Sequence, residues 1–338
     1  MPRVTILMPT YNVAPYIEEA IASVLRQTYR DFELLVLDDC STDDTWNLVC
    51  RISDPRIHPI RHRQNLGLAE NLNWGLDHID TELVARMDGD DIAEPDWLEQ
   101  EVAWLDRHPE VGICGAGFTL FGSKHYDVIF PSKPEEVAAN MLFECCVTVP
   151  TFRLDLIHRH NLRYRSDAFP AEDYRFWVDC LPYTRICNIP RILFRYRRHE
   201  RQISTVLQER QRQQSDAVRR IMLHRLNDRI SEADSDYFLR YYAPGVLSGR
   251  ADYRQMRQFG RKLLKMNHAS GHFSQKALRH RCHRQEVQAL YRHITEHHFR
   301  NGYSLAAYLR YLTSGCAGHT TLRYELKFLL KSILHRAL

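Results

Sequence analysis

Asp88-Gly89-Asp90-Asp91 places three carboxylates within four residues, just after the short apolar run Leu83-Val84-Ala85. Such a run followed by a polar turn reads as a buried strand whose carboxyl end carries the acids. Ionised and unpaired, neighbouring carboxylates repel one another and drive a carboxylate pKa upward. A hard divalent cation resolves that conflict: Mg2+ or Mn2+ takes oxygen ligands from one or two carboxylates and fills its shell with phosphate oxygens and water. Gly89 is expected to turn the backbone tightly and to let a ligand come close. The plainer alternative is a solvated acidic turn, with Asp91 or Asp96 near a helix N-terminus. The surrounding chain decides between the two.

Upstream, strands and helices alternate. Arg3 to Met8 is strand-like and ends in the turn cluster Pro9-Thr10-Tyr11-Asn12. Ile17, Ala20, Ile21, Val24 and Leu25 form one apolar helical stripe. Phe32 to Leu37 is a second strand, followed by Asp38-Asp39-Cys40-Ser41-Thr42-Asp43-Asp44, where Ser41 or Thr42 is expected to cap the next helix. Ile57 to Ile60 is a short third strand, open to a break at Pro59. Asn65-Leu66-Gly67-Leu68 then turns into a helix carrying Leu72 and Leu76. Beyond the acids, Pro95 suits the first turn of a helix that buries Leu98, Val102 and Leu105, and Val111 to Cys114 starts another strand. The alternation predicts an α/β fold, a mostly parallel sheet with helices on both faces. Ligands of such sheets bind beyond the carboxyl ends of the strands, where Thr10-Tyr11-Asn12, Asp38-Asp39 and Asp88 to Asp91 all lie. Neither GxGxxG nor GxxxxGK[ST] occurs, so a dinucleotide fingerprint and a P-loop are unsupported.

The 338 residues suffice for two compact domains, or for one with a helical extension. No apolar run reaches the roughly 18 residues of a membrane span, and Met1 to Leu7 reads as a first strand, not a signal peptide. Nine scattered cysteines without a CxxC pair point to reduced thiols and a cytoplasmic location. The adjacent Cys145 and Cys146 are expected to be half-buried strand or loop residues. The net charge of +4 conceals a split: residues 201–338 carry +15 and residues 1–200 carry −11. The basic part would suit an anionic membrane, a nucleic acid or the acidic part itself.

Taken together, PTYN, the helix from Ile17 through Arg26-Gln27-Thr28, LVLDDCSTDDT, NLGLAENLNWGL and MDGDD resemble the family 2 glycosyltransferases of the GT-A fold. The match is collinear from residue 4 to about 100 and looser to about 205. It implies a nucleotide-sugar-binding half over 1–115, an acceptor-binding half over 116–205, and a basic, mainly helical C-terminal region over 206–338. It also implies an inverting, metal-dependent transfer from a nucleotide-sugar, most simply a UDP-sugar, to a saccharide or lipid-linked saccharide, as in surface polysaccharide synthesis. By the same resemblance Pro9, Thr10, Tyr11, Asn12, Glu18, Asp39, Asn65, Gly67, Asp88, Arg197 and His199 surround the donor, and Asp88, Asp90 and Asp91 surround the metal. Within that set Thr10 and Tyr11 would line the nucleoside pocket, Asp39 would bond the base, and Asp90 would hold the metal on the diphosphate. The chemistry is compatible, since an ionised carboxylate can accept from a uracil N3–H and a tyrosine face can stack on a base. Helix capping for Asp38-Asp39, and ordinary packing for Tyr11, are the alternatives.

Further on, Glu135 to Leu142 reads as a helix. Val149 stands where many relatives carry His-Pro-Ser or a similar triplet, a departure that bears on acceptor contacts. Ala171-Glu172-Asp173-Tyr174 resembles the acceptor-side motif in which Asp173, or its neighbour Glu172, is the general base. Acids complementing a helix dipole are the alternative there. Arg195-Tyr196-Arg197-Arg198-His199-Glu200-Arg201-Gln202-Ile203-Ser204 resembles the closing Arg-x-His-x-x-x-x-Ser segment, a counter-charge for a departing diphosphate or, through His199, a metal ligand. A solvated basic loop is the alternative. Past residue 206, Leu322, Leu326, Leu329, Leu330, Ile333, Leu334 and Ala337 form one apolar helical face beside Arg323, Lys327, Lys331, His335 and Arg336. That pattern suits an anionic membrane surface, with the protein peripheral at the inner face, or a last helix packed on its own domain. A metal site among His280, His283, His293, His297 and His298 lacks a matching Cys or carboxylate pattern, and no nucleic-acid module is present. Two other functions fit the fold. One is a sugar-1-phosphate nucleotidyltransferase, against which stands the absence of a Gly-rich basic first loop. The other is a non-catalytic saccharide-binding protein, against which stand the intact acidic motifs.

Overall fold

The computed structural model describes residues 2–200, 202–248, 250–300, 302–313 and 321–334. Met1, Arg201, His335, Arg336 and Ala337, all read above, lie outside the described residues. The chain divides into two compact units, Met1–Val218 and Arg219–Leu338.

In the first unit the order is β1 (Val4–Thr10), α1 (Ile17–Leu25), β2 (Phe32–Asp38), α2 (Thr45–Arg51), β3 (Ile57–Arg61), α3 (Leu68–His78), β4 (Leu83–Arg86), β5 (Ile92–Ala93), α4 (Trp97–Arg107), β6 (Val111–Gly122), β7 (Tyr126–Val128), α5 (Pro134–Asn140), β8 (Thr151–Arg153), α6 (Leu154–Arg159), α7 (Glu172–Cys180), β9 (Arg185–Arg198) and α8 (Ile203–Val206). Among the described residues nine strands form one sheet in the order β3-β2-β1-β4-β8-β6-β9-β5, with β7 on β6. The first four strands in space are parallel, as the βαβ alternation requires. Antiparallel β8 then separates β4 from β6, and β9 runs parallel to β6. β1 and β2 are apolar on both faces and almost fully buried, which is the signature of a sheet covered on both sides. One face packs against α1 and α4 through Ile17, Ile21, Val24, Trp97 and Leu98.

Several local expectations need correction. Ser41 and Thr42 do not cap α2, whose N-cap is Asp44. The Ser41 hydroxyl instead accepts from the Asn12 N–H, and Asp43 accepts from the Thr45 N–H and hydroxyl. Pro95 precedes α4 and does not sit in its first turn, because Ile92–Ala93 is spent as β5 on β9 and the helix starts only at Trp97. Pro59 leaves β3 unbroken, since β3 is an edge strand and its ladder tolerates a missing N–H. The segment ending at Arg198 is β9, not a solvated loop. Cys145 is half-buried and Cys146 buried in the loop before β8, and the described cysteines are free thiols.

α9 (Gln208–Leu226) contains the point of division. The second unit continues with α10 (Glu232–Tyr237), a π-helical turn at Phe238–Tyr242, α11 (Arg250–Ser270), α12 (Gln275–His297), α13 (Leu305–Thr313) and α14 (Leu322–Leu334). One of its cores is aromatic: Tyr253, Phe299, Tyr311 and Phe328 gather around Leu290 and Ile294. α14 reaches that core with Phe328, not with its leucines, so the last helix does not pack on its own unit through the apolar face read from the sequence.

Candidate active site

β1, β2 and β4 are parallel neighbours, so their carboxyl ends open on one edge of the sheet and bring three loops together. Asn12, at φ +55°, holds two of them. Its side-chain oxygen accepts from the Thr42 N–H at 2.8 Å and the Asp43 N–H at 3.3 Å. Pro9 and Thr10 are buried at the end of β1, and the Thr10 hydroxyl donates to the Leu37 carbonyl at 3.4 Å. Tyr11 beside them is 47 % exposed. Asp39 is buried, and both of its oxygens are engaged: Oδ1 accepts from the Leu66 N–H at 2.7 Å and Oδ2 from the Gly67 N–H at 2.9 Å. Asn65 donates to the Asp39 carbonyl at 3.1 Å. Asp39 therefore fastens the 65–67 loop, a role the sequence reading missed, and keeps spare lone pairs for a ligand. Gly67 is at φ +84°, a conformation that favours glycine.

The acidic loop packs onto this platform. A Cβ on Gly89 would lie 2.8 Å from the Thr10 methyl and 3.2 Å from Ile17. Gly89 is thus required by the approach of β1 and α1, and its φ is not positive, so the turn itself does not demand glycine. Asp88 Oδ1 pairs with Arg86 Nη2 at 2.8 Å. Asp90 Oδ2 lies 3.0 Å from His199 Nε2, across 109 residues of sequence. Asp91 turns inward, fully buried, and Oδ1 accepts the Arg197 N–H at 2.7 Å. Arg197 donates Nε–H to the Asp90 carbonyl at 2.8 Å, pairs with Glu19, and stacks between Tyr16 and Phe121. The structure therefore brings Arg197 and His199 to the acidic loop, while Glu18 lies exposed on α1.

Near Asp88 lies the N-terminus of α7. Burial, then the neighbouring Asp173, push the Glu172 carboxyl up to about 7. Burial also raises Asp173, with Arg86 opposing. Burial lifts Asp88 to about 6, with Asp90 and Asp173 adding to the rise against Arg86. Asp91 is pushed well up by burial, then by Asp90 and Asp88. Arg86 was not singled out from the sequence. Burial opposes its charge, but Asp88 first, with Asp173 and Glu172, holds it firmly protonated. A signal existed: Arg86 breaks the apolar run of β4 two residues before Asp88. Val149, at φ +46° and buried, is a strained position for a β-branched residue next to β8.

The profile of glycosyl transferase family 2 matches residues 5–129. An uncharacterized glycosyltransferase of Haemophilus influenzae is 32 % identical over 234 residues, 65 % of this chain and 72 % of that protein. The chain belongs to glycosyl transferase family 2. A UDP-Glc:α-D-GlcNAc-diphosphoundecaprenol β-1,3-glucosyltransferase of Escherichia coli is 29 % identical over 74 % of this glycosyltransferase and 96 % of its own length. Among solved structures, Staphylococcus aureus TarS in complex with UDP-GlcNAc superposes with a TM-score of 0.58 at 17 % identity, covering 85 % of this chain and 89 % of that one. A mannosyltransferase of Pyrobaculum calidifontis in complex with GDP-Man and Mn2+ gives 0.54 at 20 % identity, covering 98 % and 86 %. The fold of this glycosyltransferase is GT-A-like, with a C-terminal helical region.

Among the described residues no three His, Cys, Asp or Glu side chains converge as a ready-made metal cage. The site still fits a hard cation. Asp88 and Asp90 repel one another at partly buried positions, and a shell of one or two carboxylates completed by phosphate is the usual arrangement for Mg2+.

Proposed function

We propose that this glycosyltransferase moves one sugar, with inversion, from a nucleotide-sugar, a UDP-sugar by preference, to a lipid-linked saccharide acceptor. The observation that carries the reading is the Asp90–His199 pair at 3.0 Å beyond the carboxyl ends of the strands, with Asp88 beside Asp90 and within electrostatic reach of Asp173. Tyr11 would stack on the base and Asp39 would accept from it. Asp90, with Asp88 beside it, would hold Mg2+ or Mn2+ with the diphosphate oxygens, and Asp91 would serve the loop's own structure. When bound, the cation neutralises charge on the departing diphosphate. Asp173 takes the proton of the acceptor hydroxyl as that oxygen bonds to the anomeric carbon. The opposite bond breaks, and its electron pair leaves with the nucleoside diphosphate. A single base suffices, and no covalent intermediate is needed. An acceptor on a lipid would put the protein at the inner membrane face. The E. coli relative, named for a diphosphoundecaprenol acceptor, and the nucleotide-sugar complexes of the structural neighbours support the choice of substrates.

Thermal shift with UDP, GDP, CDP, dTDP and their sugars, with and without Mn2+, tests the donor site. A ligand at about 100 times its dissociation constant adds roughly 2.7 kcal/mol. One nucleotide should stabilise the protein in a Mn2+-dependent manner and lose that effect in Asp90→Ala. Asp173→Asn should keep donor binding and lose turnover by about 100-fold or more. A normal rate in Asp173→Asn would remove the base assignment, and release of pyrophosphate in place of nucleoside diphosphate would replace transfer with nucleotidyl chemistry.

A further inference from the structure

Residues 219–338 contain 22 Lys and Arg against 8 Asp and Glu, a net charge of +14. Within that unit α13 and α14 pack against each other and turn their aromatic faces inward: Tyr311 and Phe328 are fully buried, with ring centroids 5.3 Å apart. Lys327 and Lys331 lie over the Tyr291 and Tyr303 rings, 5.7 and 4.8 Å from their centroids. With the aromatic faces taken, the aliphatic faces are left outside. On α13, Leu305, Leu309 and Leu312 repeat at i, i+4 and i+7, each about half exposed. On α14, Leu322, Leu326, Leu330, Ile333 and Leu334 form a second stripe, 49–75 % exposed. Isolated surface leucines are ordinary, but two stripes on adjoining helices are not. No described helix is long and apolar enough to cross a membrane.

We propose that the exposed aliphatic faces of α13 and α14 form a docking surface for an anionic lipid bilayer. The face lies in the interface, its leucines at the acyl boundary and the surrounding cations, Arg310 and Arg323 among them, at the headgroups. Charge selects the occupant. A second copy docking through the same face would set one +14 unit against another, whereas an anionic lipid surface complements both the apolar stripes and the charge. The surface rests on the lipid-linked-acceptor reading only for its purpose and is measured without turnover.

The test is co-sedimentation of the full chain with phosphatidylcholine vesicles containing about 30 mol% phosphatidylglycerol, against phosphatidylcholine alone. The wild type should bind the anionic vesicles, more weakly in about 0.5 M salt. Leu326→Glu/Leu330→Glu, with Leu309→Glu as an independent variant on α13, should each weaken binding by about tenfold or more. Unchanged circular dichroism and an unchanged nucleotide thermal shift in the same variants would exclude misfolding and separate this outcome from failure of the donor-site reading. Three outcomes overturn the proposal: no binding of the wild type to anionic vesicles, binding that the Glu substitutions leave intact, or a dimer in sedimentation velocity that they dissociate.

Discussion

Replacing Arg86 by Met would leave the partly buried Asp88 without its 2.8 Å ion pair, and Glu172 and Asp173 without the cation that offsets their charge. Removal of one partner from a fully buried pair costs about 3–5 kcal/mol, an upper bound for this one. Arg86→Met is therefore expected to be strongly destabilised in chemical denaturation and, where folded, to lose transfer, whereas Arg86→Lys keeps the charge but not the fork and should fall between. Glu172 carries a pH signature. Its carboxyl sits near 7 in the fold against about 4.5 when exposed, so the protonated form is the one the fold favours. The associated stability is fully present below pH 4.5 and is lost as pH rises through 7. Urea melts between pH 4.5 and 8 should show that decline, and Glu172→Gln should flatten it. At this scale the acids stood out in the sequence because three fall within four residues after an apolar run, while the structural work of Asp39 and Asp91 on backbone N–H groups did not. The sequence concealed Arg86, whose significance lies in partners drawn from the loop after β4 and from α7.

The loops at the sheet edge behave as elements held by side-chain oxygens. Asp39→Asn would exchange one of two backbone acceptors for an NH2 group that faces an N–H, a loss of about 1–3 kcal/mol. Its expected readout is a lowered Tm together with weaker nucleotide binding. Gly89→Ala would press a methyl into Thr10 and Ile17, and overpacking of that kind costs about 1–3 kcal/mol. Because Thr10 belongs to the same platform, nucleotide affinity should fall with stability. Elements with a clear period were legible: the stripe of α1 and the runs of β1 and β2 formed where read. β5 was not, since a strand of two residues has no period, and it exists only because β9 comes to meet it. The insertion of antiparallel β8 between β4 and β6 was equally hidden, being a pairing between Val84 and Phe152 with nothing local to announce it.

For the whole molecule, charge separates the two units: residues 1–218 carry −10 and residues 219–338 carry +14. The composition made that asymmetry plain. The orientation of α14 was beyond it, because a helix with a leucine stripe and an aromatic position leaves two apolar options, and only the cluster of Tyr291, Phe299 and Tyr311 settles which is used. β9 has a consequence for the order in which the molecule comes into being. It lies between β6 and β5, and its end delivers Arg197 and His199 to acids more than a hundred residues earlier. A nascent chain emerging from the ribosome thus displays Asp88, Asp90 and Asp91 long before the strand that neutralises and orients them has been translated. Contacts of such sequence separation form late. The cleft at the strand ends is accordingly among the last features of the first unit to mature, and the newborn protein stays inert until His199 is outside the exit tunnel.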